Sequence, residues 1–399
     1  MAVVPSLRLI RTHSACSCLS YTRIFVMSVP QKHRHYSSGP TVITPKDEAH
    51  KFMRNCLLAV GATPENAEIV ADNLIEADYR GHYSHGMNRL EMYVRDIEHK
   101  LTDPKVLPCT IQENAATAHV DGMNGLGAVI GKHCMNIAIQ KAKQAGIGFV
   151  AAKRSNHYGI SGIYALQAIK EGVLGFSVTN TSPLMAPTRA KKACLGTNPI
   201  ALGAPGKDGD CFVLDMATTA VALGKVELAI RKGEKIPEGW ALNDQGLPET
   251  DPKVAFKAAK LTPLGGSEMH SGYKGYGLGM FVEILSGILA GADYGNYIRK
   301  WGSLDKFANL GQAFMAINHK VFAPDFEDRM QDLMKMLREL EPADCNKPVL
   351  IQGDKERMHM EKVHQEGGLR YVEHQHNTLN KLSKELKIAP MVSKTVAIA

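Results

Sequence analysis

Residues 80–93 read RGHYSHGMNRLEMY and gather two histidines, a serine, two arginines and two tyrosines into one short window. His85, Arg89 and Tyr93 stand four apart, so a helix through this stretch would show them along one face. A polar row of that kind suits the wall of a pocket for an anionic substrate. Arg89 would grip a carboxylate by paired hydrogen bonds, Tyr93 would add a hydroxyl, and His85, near the helix start, would exchange a proton close to neutrality. The alternative is a solvated helix face with a capping histidine, and spacing alone does not decide between the two.

Three other stretches hold groups of chemical interest. Arg154-Ser-Asn-His-Tyr-Gly159 lies where a strand pattern ends and a glycine-bearing helix begins, the usual seat of ligands in sheet–helix proteins. His157 there is a second acid, a polariser of a carbonyl, or a structural loop histidine. The glycine-rich turn SGYKGYGLG (271–279) presents Lys274 just ahead of a helix, an arrangement that suits phosphate. Asp215 closes the run Phe212-Val-Leu-Asp, where a carboxylate can meet ribose hydroxyls or orient a histidine. His82 and His85 form an HxxH with no carboxylate or cysteine at ligand spacing, so no metal site is expected. The dinucleotide fingerprint is absent: the near match Gly146-Ile-Gly-Phe-Val-Ala151 follows a helix and enters a strand, the reverse of the required order.

The elements that must position these groups fall into two textures. Thr63-Pro64 opens a helix whose Ala67, Val70, Ala71, Leu74 and Ile75 share a face, and Leu90, Val94, Ile97 and Leu101 form a second apolar stripe. From residue 117 short β-rich runs (117–121, 148–152, 175–179, 200–203, 212–215) alternate with helical patterns (127–145, 161–171, 219–232), which argues for a central sheet covered by helices. Beyond Ala323 the pattern is charged and helical. The run Met280–Ala292 is too short for a bilayer, contains Glu283 and reads as a buried helix. The expected organisation is a leader over 1–42, an N-terminal helical segment over 43–116, a sheet domain over 117–305, and a C-terminal segment over 306–399 packing with the N-terminal helices.

With 399 residues, 44% of them hydrophobic and 22% charged, the chain is long enough for a large core. The net charge of +7 is concentrated at the start: residues 1–46 hold six basic groups and no acid, leaving 41 basic against 40 acidic residues in the rest. A near-neutral body removes most of the support for a nucleic-acid partner. The leader is rich in arginine and serine and free of acids, the composition of a mitochondrial transit peptide, so a matrix location is expected, or a cytoplasmic one if the segment is not a transit peptide. The eight cysteines lack paired CxxC spacing, only Cys16 and Cys18 of the leader being close, and are expected to be reduced thiols.

The motifs RGHYSHGMNRLEMY (80–93), RSNHYGISG (154–162), LGTNPIALGAPG (195–206), DMATTAVALGKVE (215–227), GWALNDQGLPETDP (239–252), PLGG (263–266), GYKGYGLGMFVEILSG (272–287) and NLGQAFMAI (309–317) occur in order from about residue 43 onward. Together they resemble the second type of malate/L-lactate dehydrogenases, unrelated to the Rossmann-fold enzymes of similar name. The resemblance implies an NAD- or NADP-dependent oxidoreductase of small 2-hydroxy or 2-oxo acids, in some branches of ureidoglycolate, diketogulonate, sulfolactate or cyclic imino acids. It also implies an α/β (α+β) fold whose cofactor domain is a mostly antiparallel sheet wrapped by helices, and a homodimer.

Carried over one at a time, the catalytic histidines fall on His85 and His157, with His85 taken as proton donor and His157 polarising the same oxygen. Substrate contacts fall on Ser84, Arg89 and Tyr93. Cofactor contacts fall on Thr181, on Val213, Leu214, Asp215, Met216 and Ala217, on Tyr273 and Lys274, and on Gly353 and Asp354. The sequence departs from the common pattern at Tyr273, where many members have histidine, and at Asn243, where aspartate is frequent. A cyclic imino acid reductase and a non-catalytic nucleotide-binding homologue are the rival expectations. Neither substrate side chain nor choice of coenzyme follows from these residues.

Overall fold

The computed structural model describes residues 41–396. The chain enters through β1 (Thr41–Thr44), then α1 (Lys46–Ala59) and α2 (Pro64–Tyr79). Helix α2 begins as its sequence dictates: the Thr63 hydroxyl accepts from the Asn66 amide at 3.2 Å, and Pro64 occupies the first turn, where its missing N–H costs nothing. After the loop that carries the first motif come α3 (Leu90–Glu98), β2 (Cys109–Glu113) and β3 (Thr117–Asp121). The middle of the chain supplies α4 (Gly127–Ala145), β4 (Ile147–Ser155), α5 (Gly162–Lys170), β5 (Leu174–Thr179), β6 (Ile200–Pro205) and β7 (Cys211–Met216). Then follow α6 (Leu223–Lys232), the short hairpin β8 (Ala241–Leu242) and β9 (Pro248–Glu249), α7 (Pro252–Ala258), α8 (Gly272–Glu283) and β10 (Leu310–Ile317). The chain ends with α9 (Phe326–Arg338), α10 (Asp354–Glu366), β11 (Leu369–Val372), α11 (Glu373–Glu385) and β12 (Lys394–Val396).

The seven-stranded sheet runs β2-β3-β4-β10-β5-β6-β7, with β3 and β4 parallel and every other pair antiparallel. This is the mostly antiparallel, helix-wrapped sheet expected. Helices α4 and α5 cover one face, with Tyr158, Tyr164 and Phe314 buried among Ala138, Ala168 and Val150. The opposite face packs Val178, Ile200 and Ala313 against Val282 at the end of α8. A second core lies outside the sheet, where Phe52, Leu57, Leu74, Leu90 and Val94 of α1–α3 pack with Leu369 and Tyr371 of β11 and Leu379 and Leu382 of α11. The first and last segments are also joined in a small sheet of order β11-β1-β12.

The structure departs from the sequence-based expectations at three places. Thr41 and Val42 belong to β1, so the folded body starts inside the segment assigned to the leader; residues 1–40 lie outside the described residues. The boundary at residue 306 also fails, because β10 is the middle strand of the sheet, between β4 and β5. Its sequence LGQAFMAI lacks alternation because both of its faces are covered. Finally, Met280–Ala292 is not a buried helix. Helix α8 gives way to a π-helical turn at Ile284–Ile288, and Phe281, Ile284, Ile288 and Leu289 are exposed while Val282, Glu283 and Ser286 are buried.

An ionic cluster ties the C-terminal helices to the sheet edge. Arg338 of α9 donates to Asp210, just before β7, at 2.6 and 3.1 Å, and to Asp354 of α10 at 2.8 and 3.1 Å; Arg357 adds a bond to Asp354 at 2.6 Å. Burial alone would raise the Asp354 carboxyl, but Arg338, Arg357 and the Ile351 amide hold it down at about 2. A folded-state value below the unfolded one means stability that is fully present above about pH 4 and is lost as the pH falls toward 2. Arg338→Ala is therefore expected to lower stability at pH 7 by roughly 2–3 kcal/mol. Denaturant unfolding of wild type and variant at pH 7 and below about pH 2 checks this, and the gap should narrow as the pH falls through the folded-state value.

Candidate active site

The first motif is not one helix. Helix α2 ends at Tyr79, residues 83–86 form turns, Met87–Arg89 make a single 3₁₀ turn, and α3 starts only at Leu90. The expected row of His85, Arg89 and Tyr93 is therefore bent: His85 lies on the turn, Arg89 caps α3, and only Tyr93 rides the helix. Ser84 binds the two groups around it. Its hydroxyl lies 2.8 Å from His85 Nδ1, and its carbonyl accepts from Arg89 Nε.

His157 arrives from the sheet, two residues past the end of β4. Its loop is drawn in by Asn73 of α2, whose amide donates to the Tyr158 carbonyl at 3.1 Å, and by Gln312 of β10, which donates to the Asn156 carbonyl at 3.1 Å. The first residue of α4 must be glycine for this loop to fit, because a Cβ at Gly127 would lie 2.2 Å from the Asn156 carbonyl oxygen. The Tyr93 hydroxyl then meets His157 Nδ1 at 2.7 Å, and the Gly159 amide donates to the same nitrogen at 3.3 Å. The Tyr93 hydroxyl can donate or accept, so this short bond serves either tautomer, while the longer Gly159 contact is made only by the one with its proton on Nε2. The His85 ring stacks on His157 at 5.6 Å between centroids.

Arg89, Tyr93 and His157 line one cavity of about 380 Å³, a volume suited to a small ligand. Ser84 and His85 do not line it; they reach it through the stack on His157 and the grip on Arg89. The far wall comes from a loop that the sequence did not bring forward. Trp301 lies edge-on to His157 at 5.8 Å, and the Arg89 guanidinium carbon lies over its ring, 4.8 Å from the centroid, a cation–π contact. The neighbouring Arg299 forms a buried bidentate pair with Asp96 of α3, at 2.7 and 3.2 Å, which ties this loop to the helix that carries Tyr93. The one available signal was that Trp301 is one of two tryptophans; Asp96 lies off the stripe of Leu90, Val94 and Ile97.

Burial sets the protonation of both imidazoles. His85 is pushed down to about 3 by burial first, then by the charges of Arg89 and His82. His157 is likewise held well below its ordinary value by burial, His85 and Arg89. The expectation that His85 titrates close to neutrality is thus corrected: sequence spacing carries no desolvation.

The residues assigned to the cofactor are dispersed. Thr181 lines the cavity, and its hydroxyl accepts from the Thr197 amide at 2.9 Å. Val213, Asp215 and Gly353 line a second, narrow recess beside His82 and Glu356. Asp215 accepts from the Gly162 amide, at the first residue of α5, at 2.7 Å, and burial lifts its carboxyl to about 6. Leu214 and Met216 alternate with Val213 and Asp215 along β7, and Ala217 follows the strand end. Tyr273 and Lys274 are exposed in the first turn of α8 and line neither recess, while Asp354 is taken up by Arg338 and Arg357. The donor set fits a nicotinamide nucleotide in part. Asp215 offers acceptors for ribose hydroxyls, and Lys274, with no ion-pair partner among the described residues, suits a phosphate. One cluster of metal-ligating type occurs among the described residues, His50 with Glu68 and Asp72, remote in sequence from this site.

Because Arg89 lowers both histidines, Arg89→Met is expected to raise the titrations of His85 and His157, with burial still holding both below the ordinary value near 6.5. Ring-proton NMR against pH checks this; unmoved titrations would mean that the guanidinium charge does not reach the pair.

Comparison with known proteins converges on one group. The family model described as malate/L-lactate dehydrogenase matches residues 44–380. A malate dehydrogenase of Pyrococcus abyssi is 44% identical over 79% of this chain and 88% of its own length. An L-sulfolactate dehydrogenase of Methanocaldococcus jannaschii is 37% identical over 86% of this chain and 97% of its own. The solved structure of malate dehydrogenase from Pyrococcus horikoshii superposes with a TM-score of 0.81 at 38% identity, covering 88% of this chain and 97% of that one. With the cavity, the histidine pair and the antiparallel sheet, these matches place the chain in the malate/L-lactate dehydrogenase family, whose members are nicotinamide-dependent oxidoreductases acting on the CH–OH group of 2-hydroxy acids.

Proposed function

We propose that this chain interconverts malate and oxaloacetate, or a pair of the lactate and pyruvate kind, with His157 as the group that exchanges the proton. The observation that carries this is the convergence of Arg89, Tyr93 and His157 on one small cavity. Arg89 spends Nε on Ser84, and its two terminal nitrogens are suited to a substrate carboxylate. With Nδ1 engaged by the Tyr93 hydroxyl, His157 has Nε2 for the oxygen on C2. His85 was the expected donor; its place behind the stack favours an orienting and electrostatic part instead. Bound NAD or NADP supplies or accepts the hydride, and Thr181, Asp215 and Lys274 are the residues suited to hold it.

The lowered titration of His157 gives direction to the chemistry. In the tautomer that carries its proton on Nδ1, donated to the Tyr93 hydroxyl, the neutral ring has its lone pair on Nε2 and takes the hydroxyl proton there as the 2-hydroxy acid is oxidised. In the reductive direction the ring must first be protonated, and a carboxylate bound to Arg89 assists by offsetting the positive charge that depresses it. Oxidative kcat/KM is therefore expected to stay level through pH 6.5, where an unperturbed histidine would titrate, while reductive kcat/KM falls about tenfold per pH unit. His157→Ala should lower kcat by roughly 10²–10⁴-fold with nucleotide binding intact. The test is nicotinamide oxidation with NADH and NADPH, each against oxaloacetate, pyruvate and sulfopyruvate. A His157→Ala enzyme that keeps most of its kcat would remove this assignment.

The exposed apolar face of Phe281, Ile284, Ile288 and Leu289 supports a second copy of the chain as its cover, since a patch of this kind is unusual on a monomer. Light scattering is expected to give a dimer mass for the wild type and a monomer mass for Ile288→Glu. A monomeric wild type would end the proposal.

A further inference from the structure

The loop that carries His85 is suspended at both ends from a single residue. Asp78 lies in the last turn of α2 and is fully buried. Its backbone carbonyl accepts from the Gly81 amide at 2.9 Å, where the loop leaves the helix. Its carboxylate Oδ2 accepts from the Met87 amide at 2.9 Å, where the loop enters the 3₁₀ turn that leads through Arg89 into α3. Residues 81–87, with Ser84 and His85 among them, thus form a ring closed through the Asp78 side chain. Behind it, the Tyr371 hydroxyl of β11 donates to the same Oδ2 at 2.8 Å, and the Tyr83 ring lies edge-on to Tyr371 at 5.8 Å.

The loop approaches this carboxylate as closely as chemistry allows. A Cβ on Gly86 would lie 2.0 Å from Asp78 Oδ1, so only glycine leaves room for both backbone and carboxylate. Oδ1 itself has no hydrogen-bond partner among the described residues. A buried carboxylate with one oxygen unpaired is costly, and burial lifts its carboxyl to about 7. A polar group retained at that cost, beneath the residues that line the site, has a positional task.

We propose that Asp78 is a positioning residue for the dehydrogenase reaction: by closing the 81–87 ring it fixes where His85 stacks on His157 and where Arg89 enters the cavity. The idea rests on His85 and Arg89 belonging to the reacting site. Asp78 touches neither substrate nor cavity, and its effect passes through the Met87 amide to the start of α3.

Two substitutions approach the contact from opposite sides. Asp78→Ala removes the acceptor, and Gly86→Ala drives a methyl group into it. Each is expected to lower kcat about 100-fold and to raise the oxo-acid KM, with nucleotide affinity unchanged, since misplacement by about an ångström costs that much. The His85 ring titration should rise toward its ordinary value as the loop lifts. Asp78→Asn keeps an oxygen for Met87 and Tyr371 and should restore kcat to within about threefold of wild type. Folded Asp78→Ala with wild-type kcat, KM and His85 titration would overturn the proposal. If that variant does not fold, the same result from Gly86→Ala would do so. A wild type silent against every oxo acid would count against the functional assignment instead, and the His85 titration would still test the positioning.

Discussion

The hydrogen bond between the Tyr93 hydroxyl and His157 Nδ1 is the contact on which the site depends, because its two ends belong to different cores. Tyr93 is fixed by α3 in the helical layer built from both ends of the chain, and His157 by the loop that leaves the central sheet. The bond forms only if those layers meet in one register. Several bonds serve that meeting: Asn73 holds the His157 loop from α2, Gln312 holds it from β10, and the Asp96–Arg299 pair ties α3 to the loop bearing Trp301. Buried polar contacts of this type add little net stability, yet they penalise every other register, since a misplaced layer would leave several of them unpaired.

The same closure explains the electrostatics. Two imidazoles stacked beside a guanidinium would each keep an ordinary titration in water. Excluding water between the layers removes the solvation that stabilises the imidazolium and strengthens the repulsion from Arg89. The result is a pair of neutral rings next to a cation awaiting an anion, which suits a substrate carrying a carboxylate. Trp301 contributes by covering Arg89 and His157 with an apolar ring whose face tolerates the guanidinium charge.

Much of the fold was legible in the sequence because the elements obey local rules. Thr63-Pro64 announces α2, and the alternating β-rich and helical patterns of the middle correspond to β3 through β7 with α4 and α5. What could not be read was structure whose cause lies outside its own segment. Strand β10 has no alternation because it is covered on both faces, and the apolar run after Met280 has an exposed side that composition cannot distinguish from a buried one. Trp301 and Arg299 sit in a loop without periodicity, and their importance comes from partners about 200 residues away, in the case of Arg299 and Asp96.

By itself, then, the sequence determined which groups are available: Arg89, Tyr93 and His85 in one motif, His157 in another, and a mostly antiparallel sheet implied by the motifs together. The groups follow from residue type and near-neighbour spacing, which short-range forces convert directly into helices, turns and strands; the antiparallel order of the sheet came from the resemblance to the family. Tertiary structure alone decided which groups share a cavity, that His85 stands behind His157 instead of on a helix face, and that both rings are neutral at physiological pH. Those outcomes depend on distance through space and on the exclusion of water, and neither quantity is a property of any segment taken alone.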